Sequence, residues 1–563
     1  MSPTEARSGT GLATVLVVAA LLRLPALESV PPPLNQDEAS RGYDAWCLLE
    51  TGADRHGRPW PLFLESFGPG DFTASLSTCL TIPFVALIGP TATAMRLPDA
   101  LLGVATVALV HSWLLRTLGN GTALIGAAIL AADPWHISLC RTAHEAGFAP
   151  FFLAMALDAA SRAGWPPAAP DRRQATRSRL WAFVAVAMLG LHAWVYPATR
   201  LFTPLICIAA ALIERRRIRA MLGSASERGL ASAAILGATV GSTPLWLTAL
   251  SNPHQLAARA QFVTLRFIGH EWRDSLIAVL GNYAANVSPT YLFLNGNGLA
   301  NVPLPKVGMH LLIAAPLILA GLLTVIHRAQ RETWPRLVLA WVLLAPLPAA
   351  ICGDWNPHPL RTVSAMLLGP LLAGIGGAQA IIWLKSTARP LRMAVCLAAI
   401  LAFVANVAWF ANQFFRVYPA EAQRGFQTPL VRAIEFAAGH ADESDFILVT
   451  NRANQPYIYA LLYGRIPPKQ LAAAPPIIAP GPLDFHQVIR VGKFFFMPRD
   501  PTNHSNAGRL FENEWKTLRP GARGLVIEDT GVFREGELVA TFEPAIMNDP
   551  RDAYEVRRWE KRR

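Results

Sequence analysis

The sequence predicts a polytopic α-helical membrane protein with a small α/β domain at its C-terminal end. Three observations predict it. Of the 563 residues, 52% are hydrophobic and only 16% are charged, with a mean hydropathy of +0.31. That balance belongs to chains that lie mostly in lipid. Apolar runs of membrane-crossing length recur until about Gln413 and then stop. Basic residues gather in alternate connections between those runs. The formal charge of +12 follows from these connections, so it does not point to nucleic acid. The six cysteines are scattered, with no CxxC pair and no metal-ligand spacing, which argues against a disulfide framework.

The first span is expected from about Gly11 to Glu28, retained as an anchor because no small-residue cleavage site follows it. A first outer loop, 31–71, comes next. It opens with Pro31-Pro-Pro-Leu-Asn-Gln-Asp-Glu-Ala-Ser-Arg-Gly-Tyr-Asp-Ala-Trp46. Asn35 is placed to cap a helix, and Glu38 stands three positions on, as in a capping box. Asp37 then falls in the first turn, near the positive end of the helix dipole, where a carboxylate is favoured. Ala39, Tyr43, Trp46 and Leu49 recur at spacings of three and four, which predicts a short amphipathic helix on the membrane surface. Two readings of Asp37 stay open on these residues. It is a catalytic base at the lipid–water boundary, or it belongs to a plain capping box and bonds Arg41 one turn later. The polar stretch Asp54-Arg-His-Gly-Arg-Pro-Trp60 closes the loop and supplies Arg58.

Phe72–Gly89 is apolar but interrupted by Pro83. Further spans are expected near Arg96–Leu118, Ala123–Leu139, Ala146–Ser161, Leu180–Tyr196, Ala198–Ile213, Leu230–Leu250, Val307–Ile326, Leu337–Cys352, Thr362–Leu384 and Leu391–Gln413. If Phe72–Gly89 does not cross, sixteen Lys or Arg fall in four connections on one side, and the opposite short connections hold about one each. That arrangement predicts eleven spans, a cytoplasmic N-terminus and a membrane domain over 1–413. Residues 414–563 change in character. Asp445–Thr450, Val491–Met497, Gly524–Glu528 and Glu537–Phe542 read as strands, and Leu430–His440 and Pro456–Tyr463 as helices. They predict one small α/β domain outside the cytoplasm.

Four polar clusters fall on that same outer side. Arg141 and Glu145 are four apart; they read as a structural pair on one helix face or as a donor or acceptor site beside Asp37. His144 lies between them. Tyr196 and Arg200 flank Pro197 at a turn between two spans. His358 and Arg361 stand at the mouth of the next helix, where an arginine can hold a phosphate bidentately or snorkel to the interface. In the long outer loop 251–306, Tyr291-Leu-Phe-Leu-Asn-Gly-Asn-Gly298 suggests a folded flap.

These motifs resemble glycosyltransferase family 39, the protein O-mannosyltransferases and lipid A aminoarabinose transferases, in a bacterial branch. The resemblance runs over residues 10–465. It rests on Asp37-Glu-Ala-Ser-Arg-Gly-Tyr-Asp44, Arg55-His-Gly-Arg-Pro59, Met95-Arg-Leu-Pro-Asp-Ala100, Pro134-Trp-His-Ile-Ser138 with Arg141 and Glu145, and Tyr196-Pro-Ala-Thr-Arg200. It implies a membrane enzyme of the GT-C class in the bacterial plasma (inner) membrane. Such an enzyme takes a sugar from a polyprenyl-phosphate lipid at the outer face and passes it to a hydroxyl of a protein, lipid or glycan. It also implies that the acidic pair Asp37 and Glu38 is catalytic, with Asp37 as general base, and that Phe72–Gly89 is juxtamembrane. The family's outer-loop acid maps best to Glu145, and many relatives carry an aromatic residue where this chain has His144. Attack by one base-activated hydroxyl inverts the anomeric centre, with Arg58, Arg200, His358 and Arg361 as phosphate-binding candidates. No metal or other cofactor is required by this scheme, although paired acids hold divalent metals in other enzymes of the class. The competing class is a polytopic transporter or lipid flippase. Against it, no internal repeat is legible and the charges cluster at helix ends.

Overall fold

The structure of the chain, a computed structural model, describes residues 3–165, 175–223, 225–265, 272–296, 306–450, 452–481, 485–498, 505–532, 534–547, 549 and 552–561. It opens with α1 (Pro3–Arg23), α2 (Gln36–Thr51), an antiparallel hairpin of β1 (Phe63–Gly68) and β2 (Asp71–Ala74), and α3 (Leu76–Ile88). The bundle continues through α4 (Ala92–Leu118), α5 (Asn120–Ala131), α6 (Pro134–Cys140), α7 (Ala149–Arg162), α8 (Ala175–Val195) and α9 (Pro197–Ile213). Then come α10 (Arg215–Gly223), α11 (Ala225–Ser251), α12 (His254–Val263), α13 (Trp272–Asn286), α14 (Ala315–Ala329), α15 (Thr333–Leu344), α16 (Leu347–Ala350), α17 (Leu368–Leu384) and α18 (Arg389–Asn412).

Among the described residues, seven helical segments are long and apolar enough to cross a membrane, or eight if α5 and α6, bent by 55°, form one broken span. The expected eleven is not reached. The apolar part of α1 (Thr10–Arg23) and α9 are shorter, and α7 holds only 14 residues. Hydropathy marks apolar runs, but it does not see where capping residues cut them. α3 has 13 residues, so it is about 20 Å long against a hydrocarbon core of about 30 Å. Helices of the bundle touch through small residues. A side chain added at Gly321 of α14 meets the Leu372 carbonyl of α17, and one at Gly376 of α17 meets the Leu317 carbonyl. Such close backbone approach is the usual source of helix association in lipid.

α18 runs through a π turn at Gln413–Val417 into α19 (Tyr418–Glu421). After it come α20 (Thr428–Gly439), β3 (Phe446–Val449), α21 (Pro456–Tyr463), α22 (Pro468–Ala473), β4 (Ile477–Pro480), β5 (His486–Val491), β6 (Phe494–Phe496), α23 (Asn506–Lys516), β7 (Arg523–Asp529), β8 (Glu537–Phe542) and β9 (Tyr554–Glu560). The strands form one sheet in the order β4-β5-β6-β3-β7-β9-β8, with β3 parallel to both β6 and β7. The expected strand Val491–Met497 is split, because Gly492 at φ 56° makes a turn with Lys493.

α2 is not a helix lying on a membrane surface. Leu34, Ala39, Tyr43 and Cys47 join one core with Leu430, Ile434, Ile447, Val449, Tyr457 and Tyr459 of the C-terminal segment. On another side, Ala45 packs with Val85 of α3 and Ala94 of α4. The Tyr43 hydroxyl donates to the Ile466 carbonyl at 2.8 Å, and the Tyr463 hydroxyl accepts the Leu34 amide at 3.0 Å. α2 is thus held between the bundle and the sheet. Protein covers Ala39 and Tyr43 of its apolar stripe, while Leu49 at the far end stays exposed.

Candidate active site

The N-terminus of α2 is built as its residues dictate. The Asn35 side chain accepts the amides of Asp37 at 2.9 Å and Glu38 at 3.0 Å, and the Glu38 carboxylate accepts the Asn35 amide at 3.0 Å. This is the capping box expected from the spacing. It separates the fates of the two acids. Glu38 is fully buried and gripped by Arg96 of α4 at 2.8 and 3.0 Å, and it also accepts the Ala143 amide at 3.0 Å. Burial alone would raise its carboxyl; the Arg96 guanidinium and the backbone donors outweigh that and hold it below the usual glutamate value. A carboxylate with both oxygens bound twice cannot take up a further proton from a substrate. Glu38 is therefore structural in this geometry, which corrects its expected catalytic role. Asp37, one position earlier, is only partly buried.

Around Asp37 the fold gathers three other connections. In the α6–α7 connection, Glu145 pairs with Arg41 of α2 at 2.6 Å, and the Arg41 Nε also donates to the Ala143 carbonyl at 2.9 Å. Burial would raise the Glu145 carboxyl, but His144 and Arg41 hold it below its usual value. The His144 Nδ1 accepts the Ala146 amide at 3.3 Å, and its ring stands edge-on to Tyr196 with centroids 5.8 Å apart. Burial pushes the imidazole down, while Glu145 and, further off, Asp37 pull it up. Tyr196 opens the α8–α9 turn, and Arg200 lies one turn into α9. The Arg200 guanidinium sits over the Phe63 ring at 4.9 Å and donates to the Leu256 carbonyl at 3.2 Å; its Nε and Nη2 are buried with no partner among the described residues. In the α16–α17 connection, His358 is pushed down to about 3 by burial and by Arg361, and it also feels the charge of His144. Arg361 itself grips Asp354 bidentately, with Nη2–Oδ2 at 2.7 Å.

The fold has known counterparts. ArnT from Cupriavidus metallidurans in the apo state aligns with a TM-score of 0.55 at 12% identity, covering 99% of this chain and 98% of that one. The same enzyme bound to undecaprenyl phosphate aligns at 0.53 and 12% identity, over 98% and 97%. The archaeal oligosaccharyltransferase AglB from Archaeoglobus fulgidus, in complex with an inhibitory peptide and a dolichol-phosphate, aligns at 0.53 and 11% identity, over 83% and 64%. The chain has the GT-C fold. No family model and no curated protein sequence matches it.

Within this GT-C bundle the predicted residues separate into two groups. Asp37, His144, Glu145, Tyr196, Arg200, His358 and Arg361 come together. Arg141 and Arg58 do not join them. Arg141 is fully buried and donates to the carbonyls of Arg23 at 2.8 Å, Pro25 at 2.7 Å and Val30 at 2.8 Å, so it ties down the chain leaving α1 and has no donor left for substrate. The expected pairing of Arg141 with Glu145 fails for a local reason. α6 ends at Cys140 and a 3-10 turn begins at Glu145, so a spacing of four does not place the two on one helix face. Arg58 is bound to Glu65, which also takes His486 of β5 at 2.8 Å. The partner that sequence reasoning missed is Arg41. It was weighed only as a mate for Asp37, and nothing local shows that it reaches a residue 104 positions on. In the 251–306 loop, Thr290–Asn295 forms a π turn, while 297–305 lies outside the described residues. Among the described residues, no group of three or more His, Cys, Asp and Glu is arranged to hold a metal ion.

Proposed function

We propose that the chain is a membrane glycosyltransferase that moves a sugar from a polyprenyl-phosphate lipid to an acceptor hydroxyl, with Asp37 as general base. The observation that carries this reading is the unpartnered, buried edge of Arg200 beside Glu145 and Tyr196, at the end of the bundle where Asp37 stands. A buried guanidinium with free N–H groups is costly unless an anion meets it, and its fork fits a phosphate. The lipid chain also has a place to lie. An apolar cavity of about 280 Å³, lined by Trp113, Leu153, Leu157, Phe202, Ile206 and Trp341, lies among α4, α7, α8, α9 and α15.

The chemistry follows from these positions. Asp37 takes the acceptor proton as the acceptor oxygen attacks the anomeric carbon. The bond from that carbon to the phosphate oxygen breaks, and polyprenyl phosphate leaves with both electrons. Arg200 meets the charge that develops on the phosphate. Tyr196 and His144 stand edge to face beside Glu145 and Arg200. One displacement inverts the anomeric centre. In this reading the site opens outside the cytoplasm of a bacterial plasma membrane, with the N-terminus inside and the 414–563 domain outside. The basic connections Glu214–Arg228 and His327–Arg336 support that orientation. AglB and ArnT were captured with lipid phosphates, and this chain is expected to use one as donor.

The test is donor consumption in membranes carrying wild type or Asp37→Asn, with radiolabelled polyprenyl-phosphate sugars and an envelope extract. Wild type should deplete one donor, and the variant should fold but transfer at least about a hundredfold slower. Equal rates would leave Asp37 as a cap and sink the mechanism.

A further inference from the structure

The apolar cavity among α4, α7, α8, α9 and α15 has an end far from Asp37. α4 starts beside the site, where Arg96 grips Glu38. Arg116, in its last turn, lies about 30 Å further along the axis. α7 and α9 also run away from the site, with Glu145 and Arg200 at their near ends. Six of the residues that line the cavity, Thr117, Leu118, Ala160, Trp165, Ala210 and Trp334, belong to the last turns of α4, α7 and α9, the turn after α7 and the first turn of α15. The orientation proposed above puts this end in the cytoplasmic leaflet.

Arginines gather there. Asp158 of α7, its side chain 2% exposed, is shared by two of them: Arg116 Nη2 donates to it at 2.5 Å and Arg162 Nε at 2.7 Å. Both also reach the Ser112 hydroxyl. One carboxylate neutralises one guanidinium, so this trio keeps a positive charge, and each arginine side chain stays 34% exposed. Arg162 lies over the Trp181 ring at 4.7 Å. A third guanidinium comes from α10. Arg217 Nη2 lies 3.5 Å from the carbonyl of Gly164, the neighbour of Trp165, and Arg217 Nη1 is buried with no partner among the described residues. A buried N–H without an acceptor is costly. The connections nearby are short of acids to meet it. Glu214–Arg228 holds five Arg against two Glu, and His327–Arg336 holds three Arg against Glu332, whose carboxylate takes the Trp334 indole.

We propose that this end of the bundle binds an anionic phospholipid. Its phosphate sits against Arg162 and Arg217, beside Arg116, and the first carbons of one acyl chain lie along Trp165 and Trp334 at the cavity mouth. Charge and polarity both select this occupant. A phosphate fits a guanidinium fork. Indoles favour the head-group level of a membrane, and basic pockets between membrane helices on the cytoplasmic side hold anionic lipid heads. A free phosphate would leave the apolar mouth uncovered, and a zwitterionic lipid would bring a second cation to the arginines. The site is separate from that of the donor phosphate at Arg200, and it does not rest on the transferase reading. With the lipid in place, hydrocarbon rather than water closes the inner end of the cavity.

The test places the full chain in phosphatidylcholine vesicles that hold a minor share of phosphatidylglycerol, with bromine on the acyl chains of one lipid or the other. Bromine quenches nearby tryptophan. Brominated phosphatidylglycerol should quench more than its share of the mixture predicts, and excess unlabelled phosphatidylglycerol should reverse this. Arg217→Gln should weaken the preference about fivefold, the value of one arginine at a lipid head, and should melt with wild type. Arg215→Gln removes the same charge from an exposed position of the same helix and should lose far less. Replacing Arg116 and Arg162 with Gln and Asp158 with Asn together removes the ion pair as a unit, strands no buried charge, and should abolish most of the preference. Equal losses in Arg215→Gln and Arg217→Gln would mean diffuse attraction to a basic surface and overturn the site. Equal quenching by the two brominated lipids overturns it as well. So does displacement by inorganic phosphate at matched ionic strength, which would make this a site for a free anion. Sugar transfer plays no part in the readout, so failure of the transferase reading and failure of this site are told apart.

Discussion

Successive residues on a helix point about 100° apart, and this rotation gives two adjacent acids different work. Asp37 stays partly buried, while Glu38 turns into the bundle against Arg96. Replacing Glu38 with Gln strands a fully buried guanidinium, a change worth about 3–5 kcal/mol. The variant should melt far below wild type, whereas Asp37→Asn should melt near it; thermal unfolding in detergent checks both. The pH dependence has a definite sign. The folded-state carboxyl of Glu38 lies below its unfolded value, so its contribution is complete above the ordinary glutamate range and is lost as pH falls through the lower folded value. A stability profile flat from neutrality into strong acid would contradict this. Arg200→Lys keeps the charge but loses the planar fork; it should raise the half-saturating donor concentration on the order of tenfold and leave acceptor saturation alone.

At the scale of elements, two contacts decide whether the site is assembled. The hairpin β1–β2 is fastened to β5 through Glu65, which holds Arg58 and, at 2.8 Å, His486. Burial would raise Glu65, but His486 and Arg58 bring it down to about 2. The fastening is therefore intact above the usual carboxylate range and fails only as pH drops toward 2. His486→Phe removes it at neutral pH, and the β1–β2 hairpin should become more protease-sensitive while the bundle does not. The second contact is α14 against α17. Gly321→Leu would drive a side chain into the Leu372 carbonyl. It should cost about 1–3 kcal/mol through overpacking, read as a lower yield of folded protein in membranes.

For the whole molecule, composition and periodicity sufficed for a helical membrane bundle followed by an α/β sheet, because lipid leaves few other solutions. The cap at Asn35 and the turn at Tyr196–Arg200 were legible for the same reason: both are local. What was not legible is long-range. That Arg41 rather than Arg141 meets Glu145 depends on helices brought together by folding, and strands such as β4, of four residues, and β9, rich in charged residues, carry too little apolar pattern to stand out. The same is true of α2, whose apolar face looked suited to lipid and instead meets Ile434, Ile447 and Tyr457. That placement has a practical consequence. Most of the helix of this chain lies in the bundle, while the surface that holds the start of α2 belongs to the C-terminal domain. A detergent preparation in which the sheet has come away would keep its helical circular dichroism, elute as a single species and still be dead. Purity and helicity are poor guarantors of an active sample here; near-ultraviolet signals from the Tyr43–Trp46 pair, packed at the junction with that domain, would report the damage first.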